Sequence, residues 1–396
     1  MEDKDFCEGC GQSNLYHLSM WLEELTSHIL PPLKLSQKID VFLDVLLEKI
    51  FTVTGFAKFT TNYNHSDIQL RSAYFIDEMK KRGAVFRVLQ SVFGFTNHFK
   101  MEIGDKVIRF DTLPTVDFAS KFTSAIVDDK ELAKRHCEKG GFPTAKGQAF
   151  WFWQKKKAVL FAQHIGFPLV VKPRGGSFSH HVTTNIQDKK HLGEAIVHAI
   201  IYSPTFIVEK YIPNAFVYRA TVINFDFVVC VQQVPANIVG DGILTIRKLI
   251  DQKNDDPRRG QPNQKQFTLY EIVENKMTQM LLAEKGYNYK TVPEKGEIVY
   301  LQKDPFLKLG GDLIEITPKV HKDNLKLFTD LARFFDIRVT GIDFLTRDVA
   351  ISWKNQPCAI LELNSVPCIE LHHSPSSGTP TNPAGALASM FSKYYL

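Results

Sequence analysis

The residues best suited to chemistry lie near the C-terminal end, in GIDFLTRDVAISWKNQPCAILELN at 341–364. Two strand-like runs, Ile342-Asp343-Phe344-Leu345 and Ala359 to Asn364, flank the polar turn Lys354-Asn355-Gln356-Pro357. Side chains alternate across a strand, so Glu362 and Asn364 share one face and Leu361 and Leu363 the other, while Asp343 opposes Ile342 and Phe344. A hairpin that sets Asp343 beside Glu362 brings two carboxylates and an amide oxygen to one patch. Hard oxygen ligands of that kind suit Mg²⁺, which keeps some waters and binds a nucleotide's phosphates as well. The same alternation describes an edge hairpin with one wet face, and spacing alone does not separate the two.

Other groups could join that chemistry. Lys172 follows the apolar strand Leu169-Val170-Val171 and opens KPRGGSFSHH at 172–181. Glycines admit close approach of phosphate, backbone N–H groups supply donors, and the lysine adds a point charge. The lysine precedes the glycines, so this is neither a P-loop nor a dinucleotide fingerprint, and a flexible surface loop would share the composition. Glu209-Lys210 follows Phe206-Ile207-Val208, where a strand leading into a linker can offer edge backbone groups to an adenine ring; a surface charge pair is the alternative. His180 and His181 in the same loop, and His372 and His373 after Asn364, read as phosphate or substrate donors rather than metal ligands, because adjacent side chains diverge. Cys7 and Cys10, with His17 downstream, have a zinc-knuckle spacing but no second cysteine pair, which favours a mobile tail.

The elements that must position these groups are legible in part. Pro31-Pro32 breaks the chain; after Ser36 as N-cap, Ile39, Phe42, Leu43, Leu46, Leu47 and Ile50 recur at helical spacing up to Gly55. A second amphipathic helix over 71–82 stops at Gly83, and strand-like runs follow at 85–89 and 107–110, with a polar turn at Gly104-Asp105. This order predicts a small α/β layer. Asp128-Asp129-Lys130 opens a short helix that ends at Gly140-Gly141-Phe142-Pro143. A Trp- and Lys-rich helix over 151–164, the strand 169–171, a strand at 182–186, a helix at 190–201 and a strand at 206–208 make the next unit. Strands at 219–224 and 226–231, the turn Gly240-Asp241-Gly242, a helix at 245–252, a surface loop at 253–266 and a helix at 325–335 lead to the hairpin.

A chain of 396 residues implies roughly two or three domains. The net charge of +5 permits anionic small-molecule substrates but is no nucleic-acid signature, since basic and acidic residues are interspersed. No apolar run approaches the ~20 residues of a membrane span. The opening MEDKDFCEGC lacks the basic-then-apolar order of a signal peptide, and the scattered cysteines, with Cys230 and Cys358 inside apolar stretches, suit the cytoplasm.

A longer set of motifs adds to these residues: Val127-Asp128-Asp129-Lys130, Gly141-Phe142-Pro143, VVKPRGGSFSHH at 170–181, and Val208-Glu209-Lys210-Tyr211-Ile212. They continue with VPANIVGDG at 234–242, ILTIRKLIDQKNDDPRRG at 243–260, Lys295 to Tyr300, Gly310-Gly311-Asp312, Gly341-Ile342-Asp343 and Glu362-Leu363-Asn364, with His372 and Pro375 beyond. In this order they resemble the ATP-grasp superfamily, and within it the ligase module of cyanophycin synthetase and of bifunctional glutathione synthetases. The resemblance runs from about residue 126 to the C-terminus. It implies an α+β fold of two lobes clasping ATP over 126–396, with the lid lobe at about 150–210. A small α/β domain over 70–125 and a helical N-terminal segment over 1–69 would precede it.

By the same resemblance, Lys130 and Lys172 contact ATP phosphates, the loop carrying Gly175, Gly176, Ser177 and Ser179 covers them, and Glu209, Lys210 and Ile212 sit at the adenine. Asp343, Glu362 and Asn364 hold two Mg²⁺ ions, for which Mn²⁺ can substitute. The implied reaction activates a carboxylate as an acylphosphate, which an amine attacks to give an amide, ADP and phosphate. The family's usual arginine before Val234 is Gln233 here, its Asn-x-Ser-Thr stretch is Phe306-Leu307-Lys308-Leu309, and Glu370 stands where the cyanophycin type often has arginine. Between Pro213 and Val217 the acidic side chain expected near the ribose is missing. One reading is a ligase of shifted preference on an amino-acid or peptide substrate, with Lys172, Arg219, Lys308 and Arg338 as catalytic cations. The others are an ATP-binding regulatory or interaction module, and a structural protein that has lost the nucleotide. Ligases of this kind are frequently homo-oligomers; neither nucleic acid nor membrane is expected as a partner.

Overall fold

The computed structural model describes residues 14–29, 37–114, 126–175 and 181–395. Two helices, α1 (Asn14–Ile29) and α2 (Gln37–Val53), come first. The strands β1 (Ala57–Thr60), β2 (Val85–Ser91), β3 (Gly94–Ile103) and β4 (Lys106–Asp111) form an antiparallel meander in that order. The helix α3 (Leu70–Lys80) buries Ser72, Ala73, Phe75, Ile76 and Met79. Their three- and four-residue spacing is one helical face, and it lies in one core with Phe86, Val88, Phe99, Met101 and Phe110 of the sheet. The expected boundary at 69/70 cuts this layer: β1 lies inside the stretch read as helical, yet it pairs with β2. No strand is expected at β3, although Phe99, Met101 and Ile103 fall at every second position on one face.

After α4 (Lys130–Lys139) comes a four-stranded antiparallel sheet in the order β5 (Gly147–Trp151), β8 (Thr205–Lys210), β6 (Leu169–Pro173), β7 (Thr183–Ile186). The helices α5 (Lys155–Ile165) and α6 (Lys189–Tyr202) pack on it through Ala158, Ala162, Leu192, Ala195, Ile196 and Ala199. The helix expected over 151–164 begins only at Lys155, because Trp151 completes β5.

The largest sheet has the order β15 (Asp312–Glu315), β10 (Phe227–Val234), β9 (Phe216–Ile223), β16 (Val339–Thr346), β17 (Cys358–Asn364). A side unit of β11 (Asn237–Val239), α7 (Ile246–Asn254), β12 (Arg259–Gly260), β13 (Leu269–Tyr270), α8 (Lys276–Glu284) and β14 (Ile298–Tyr300) inserts between β10 and β15. The helix α9 (Lys322–Phe334) buries Leu327, Phe328, Leu331 and Ala332 against Ala220, Val222, Ile342 and Phe344. The strand β16 is paired along both edges and buried at successive residues, hence on both faces, so Asp343 is buried with the apolar residues around it. The last helix, α10 (Pro383–Tyr395), returns to the first layer, where Ala384, Leu387, Ala388, Met390 and Phe391 complete its core. Among the described residues no helix is long and apolar enough to cross a membrane.

Candidate active site

Three strands bring the charged residues of the large sheet together. Asp343 on β16 faces Glu362 on β17 and Arg219 on β9. The β16–β17 register slips between Asp343 and Phe344, where two residues of β17 oppose one step of its partner. The Arg219 guanidinium forks onto Asp343, with Nη2 2.7 Å from Oδ2, and the same Nη2 lies 3.8 Å from Oε1 of Glu362. On the other side of Glu362, Lys130 Nζ stands 3.9 Å from Oε2. Asn364 donates to Glu362 at 3.5 Å.

Burial raises the Asp343 carboxyl to about 7; the charge of Glu362 adds to this and Arg219 opposes it. Burial also pushes Glu362 upward, but Lys130, Arg219 and its hydrogen bonds outweigh that and hold it low. Burial would lower Arg219, but the charge and hydrogen bonds of Asp343 outweigh it and raise the guanidinium. Lys130 is lowered, first by burial and then by the charge of Lys172, against the pull of Glu362, Asp343 and Glu209. Lys130 therefore feels both the carboxylate patch and Lys172 of β6.

On β8 of the four-stranded sheet Glu209 is buried between two ammonium groups, Lys172 at 2.8 Å and Lys134 at 2.9 Å. Burial would raise its carboxyl, but the two lysines hold it down to about 2. Gly147 on β5 lies opposite Glu209, and a Cβ there would fall 2.7 Å from the Val208 carbonyl and 2.9 Å from Lys134 Nζ. Only a glycine leaves that space. The expectation that Glu209 and Lys210 present edge backbone groups is corrected: β8 is an interior strand, paired with β5 and β6. Lys210 turns its ammonium onto the carbonyls of Gly166 and Phe167, at 3.0 and 2.7 Å. Ile212 follows the strand end, half-buried.

The helix α4 links the two halves. Asp129 caps it, accepting from the N–H groups of Glu131 and Leu132 at 2.9 and 3.0 Å. Arg174, just past β6, pairs with Asp129 at 3.2 Å and Glu131 at 2.9 Å. Asp128 accepts from Ser365, both backbone N–H (3.0 Å) and hydroxyl (2.7 Å), immediately after Asn364. Lys134 and Gly147 are not singled out by the sequence, and Asp128 and Arg174 enter it only within the motifs around Lys130 and Lys172. The four-residue step from Lys130 to Lys134, which places both on one helical face, is the signal that could have found Lys134.

Other expected residues lie elsewhere. Arg338, just ahead of β16, donates to Asn224 at 3.2 Å and to the Tyr394 hydroxyl at 3.0 Å. Five residues of strand, about 17 Å, separate it from Asp343, and the odd count puts it on the opposite face. Lys308 is exposed on a single turn before Gly310. His181 is no surface donor: it is buried, its Nδ1 2.8 Å from the His198 carbonyl, with the His17 ring edge-on at 5.0 Å. His372 is buried against Thr221 and Glu315, and His373 stacks on Tyr74 at 4.0 Å. Gly175 is described, with Glu24 of α1 against it. Gly176, Ser177, Ser179 and His180, like Cys7 and Cys10, lie outside the described residues.

No family model matches the chain. The crystal structure of a bifunctional glutathione synthetase from Pasteurella multocida superposes with a TM-score of 0.66 at 21% identity, covering 83% of this chain and 45% of that one. The fold is ATP-grasp. In sequence the chain is 30% identical over 263 residues to the cyanophycin synthetase of Trichormus variabilis, covering 66% of this chain. It is 25% identical over 318 residues to the glutathione biosynthesis bifunctional protein of Clostridium perfringens, covering 79% of this chain. The chain spans 29% and 40% of the lengths of those two relatives. It thus resembles the ATP-grasp modules of both proteins.

Proposed function

We propose that the chain is an ATP-dependent carboxylate–amine ligase that forms an amide bond through an acylphosphate, on an amino-acid or peptide substrate in the cytoplasm. The observation that carries this reading is Lys130. It stands at Glu362 of the Asp343–Glu362 pair, and Lys134, one turn on along the same helix, shares Glu209 with Lys172, which supports a centre between the carboxylates and both lysines. Two carboxylates and an amide, with no thiolate or imidazole among them, form a hard-oxygen set that fits Mg²⁺. Asp343, Glu362 and Asn364 would hold the ions, two in number or Mn²⁺ in their place, and bound metal would supply charge neutralisation for the phosphates.

The residues' own parts follow from their surroundings. Lys130, whose charge burial disfavours, gains most from an anionic phosphate; Lys172 offers a second point charge. Arg219 fixes the orientation of Asp343. Glu209, Lys210 and Ile212, at the end of β8, would border the adenine, and the segment from Gly175 to Ser179 would border the phosphates. In the reaction a substrate carboxylate oxygen attacks the γ-phosphorus and the bond to the β-phosphate oxygen breaks, releasing ADP. The amine nitrogen then attacks the acyl carbon, phosphate leaves, and the nitrogen gives up a proton. Such transfers need positioning and charge neutralisation more than an acid or base.

Mixing the protein with Mg-ATP and pools of amino acids and small peptides should release phosphate. Glu362→Gln should lower ADP formation by about 10²-fold or more, the scale of losing an electrostatic contact to a developing charge; near-normal ADP formation would sink the metal assignment. A second reading, a nucleotide-binding regulatory module, draws on the Arg219 fork, which already neutralises Asp343. Thermal stabilisation by Mg-ATP without turnover on any pool would favour it. No stabilisation at ~100 times a working Kd, where about 2.7 kcal/mol is expected, would leave only a structural role.

A further inference from the structure

Beside the carboxylate patch, a second ion pair joins the first layer to the segment after β17. Arg71 of α3 places Nη2 3.1 Å from Glu370 Oε1 and 3.0 Å from Cys368 Sγ, and Nη1 3.3 Å from the Val366 carbonyl. Glu370 lies in the single turn Ile369–His372, and its backbone carbonyl accepts from Thr268 at 3.5 Å. An arginine and a carboxylate that meet only each other favour two parallel hydrogen bonds. Here the contact is single. Glu370 Oε2 is buried and accepts from no group, and Arg71 Nε is likewise buried without an acceptor. Both side chains retain some exposure, 13% and 21%, so the pair borders accessible space.

Its position relative to the reacting centre is given by Gly341, two residues before Asp343: a Cβ there would stand 3.2 Å from Pro367, the neighbour of Cys368, and 3.5 Å from the guanidinium of Arg219, which holds Asp343. The segment that carries Glu370 therefore runs beside the Arg219–Asp343 pair. A buried carboxylate oxygen with no donor is an acceptor for a charged N–H group, and it disfavours an anion in the same place.

We propose that Glu370 is the specificity-determining acceptor for the ammonium group of the amino-acid or peptide substrate, held in position by Arg71. This rests on the ligase reading. The ammonium is either the α-amino group or one at the end of a side chain, and two pairs of probes separate these sources. With Mg²⁺ and a non-hydrolysable ATP analogue bound to the full chain, calorimetry compares L-alanine with L-lactate, and L-lysine with 6-hydroxy-L-norleucine.

In at least one pair the amine should bind about tenfold tighter or more, the scale of a hydrogen bond to a charged group. Glu370→Gln should reduce that preference to within about twofold, leave nucleotide affinity unchanged, and in turnover raise KM with little change in kcat. Glu370→Asp, which keeps the charge, should retain part of the preference and serves if the glutamine variant folds poorly. No amine preference in either wild-type pair, or a preference that survives Glu370→Gln, overturns the assignment while leaving the ligase reading intact. Failure of the nucleotide analogue to bind overturns both.

Discussion

Glu209 is a carboxylate held by two lysines in a site that water barely reaches, and the arrangement fixes a pH signature. Its ordinary value is 4.5 and its folded value about 2, because Lys172 and Lys134 overcome the cost of burial. A depressed folded value contributes stability that is fully present above about pH 4.5 and is lost as pH falls towards 2. The contribution is on the order of 3 kcal/mol. Glu209→Gln should therefore unfold more easily than wild type at pH 7, and the gap should narrow steadily as pH falls from about 4.5 towards 2; a constant gap over that range would contradict the pairing. Gly147 is the other residue on which this cluster depends. Gly147→Ala drives a methyl group against Glu209 and the Val208 carbonyl, neither of which can retreat far inside an interior sheet pairing. It should cost about 1–3 kcal/mol in denaturant unfolding, the range of overpacking in a filled core, and weaken Mg-ATP binding with it.

At the scale of elements, α4 is the piece on which the two halves of the site meet. Its cap, Asp129, also holds Arg174 at the end of β6, and the neighbouring Asp128 holds Ser365 at the end of β17. Asp129→Ala should cost about 1 kcal/mol for the lost cap. It should raise the Kd for Mg-ATP, because Lys130 is the first residue of the helix it frays. An unchanged Kd in calorimetry would show that Lys130 is placed independently of the cap. The cap and the facing of Asp343 with Glu362 could be read from the sequence, because a capping residue acts on its own helix and strand alternation has a period of two. Lys134 is legible only through Lys130, whose helical face it shares; that the face meets Glu209, 75 residues on, is set by the tertiary fold. The histidines misled for the same reason. Residue type invites a chemical role, but His181, His372 and His373 are packed by His17, Glu315 and Tyr74, which are distant in sequence. Arg338 sits near Asp343 in sequence, yet a strand's length and its alternation carry it away.

On the whole-molecule scale, the first layer is not closed by its own residues. Phe391 of α10 meets Phe75 of α3 at 6.0 Å between ring centres, and both are buried with Phe86, Phe99 and Phe110. Phe391→Ala should cost about 3–5 kcal/mol, as expected for a fully buried aromatic, and thermal unfolding would register it as a loss from the whole transition. A separate early transition confined to residues 57–111 would instead mark that layer as an independent unit.

That return of α10 also governs the order in which the molecule can be made. Arg82 and Ser392, which hydrogen-bond across the closed layer, are 310 residues apart. A nascent chain leaving the ribosome holds α3 and its meander with their greasy side uncovered until the stretch that separates them from α10 has been translated. A layer made before both later sheets is thus closed only after them, and in the meantime its apolar face is open to a chaperone's cover.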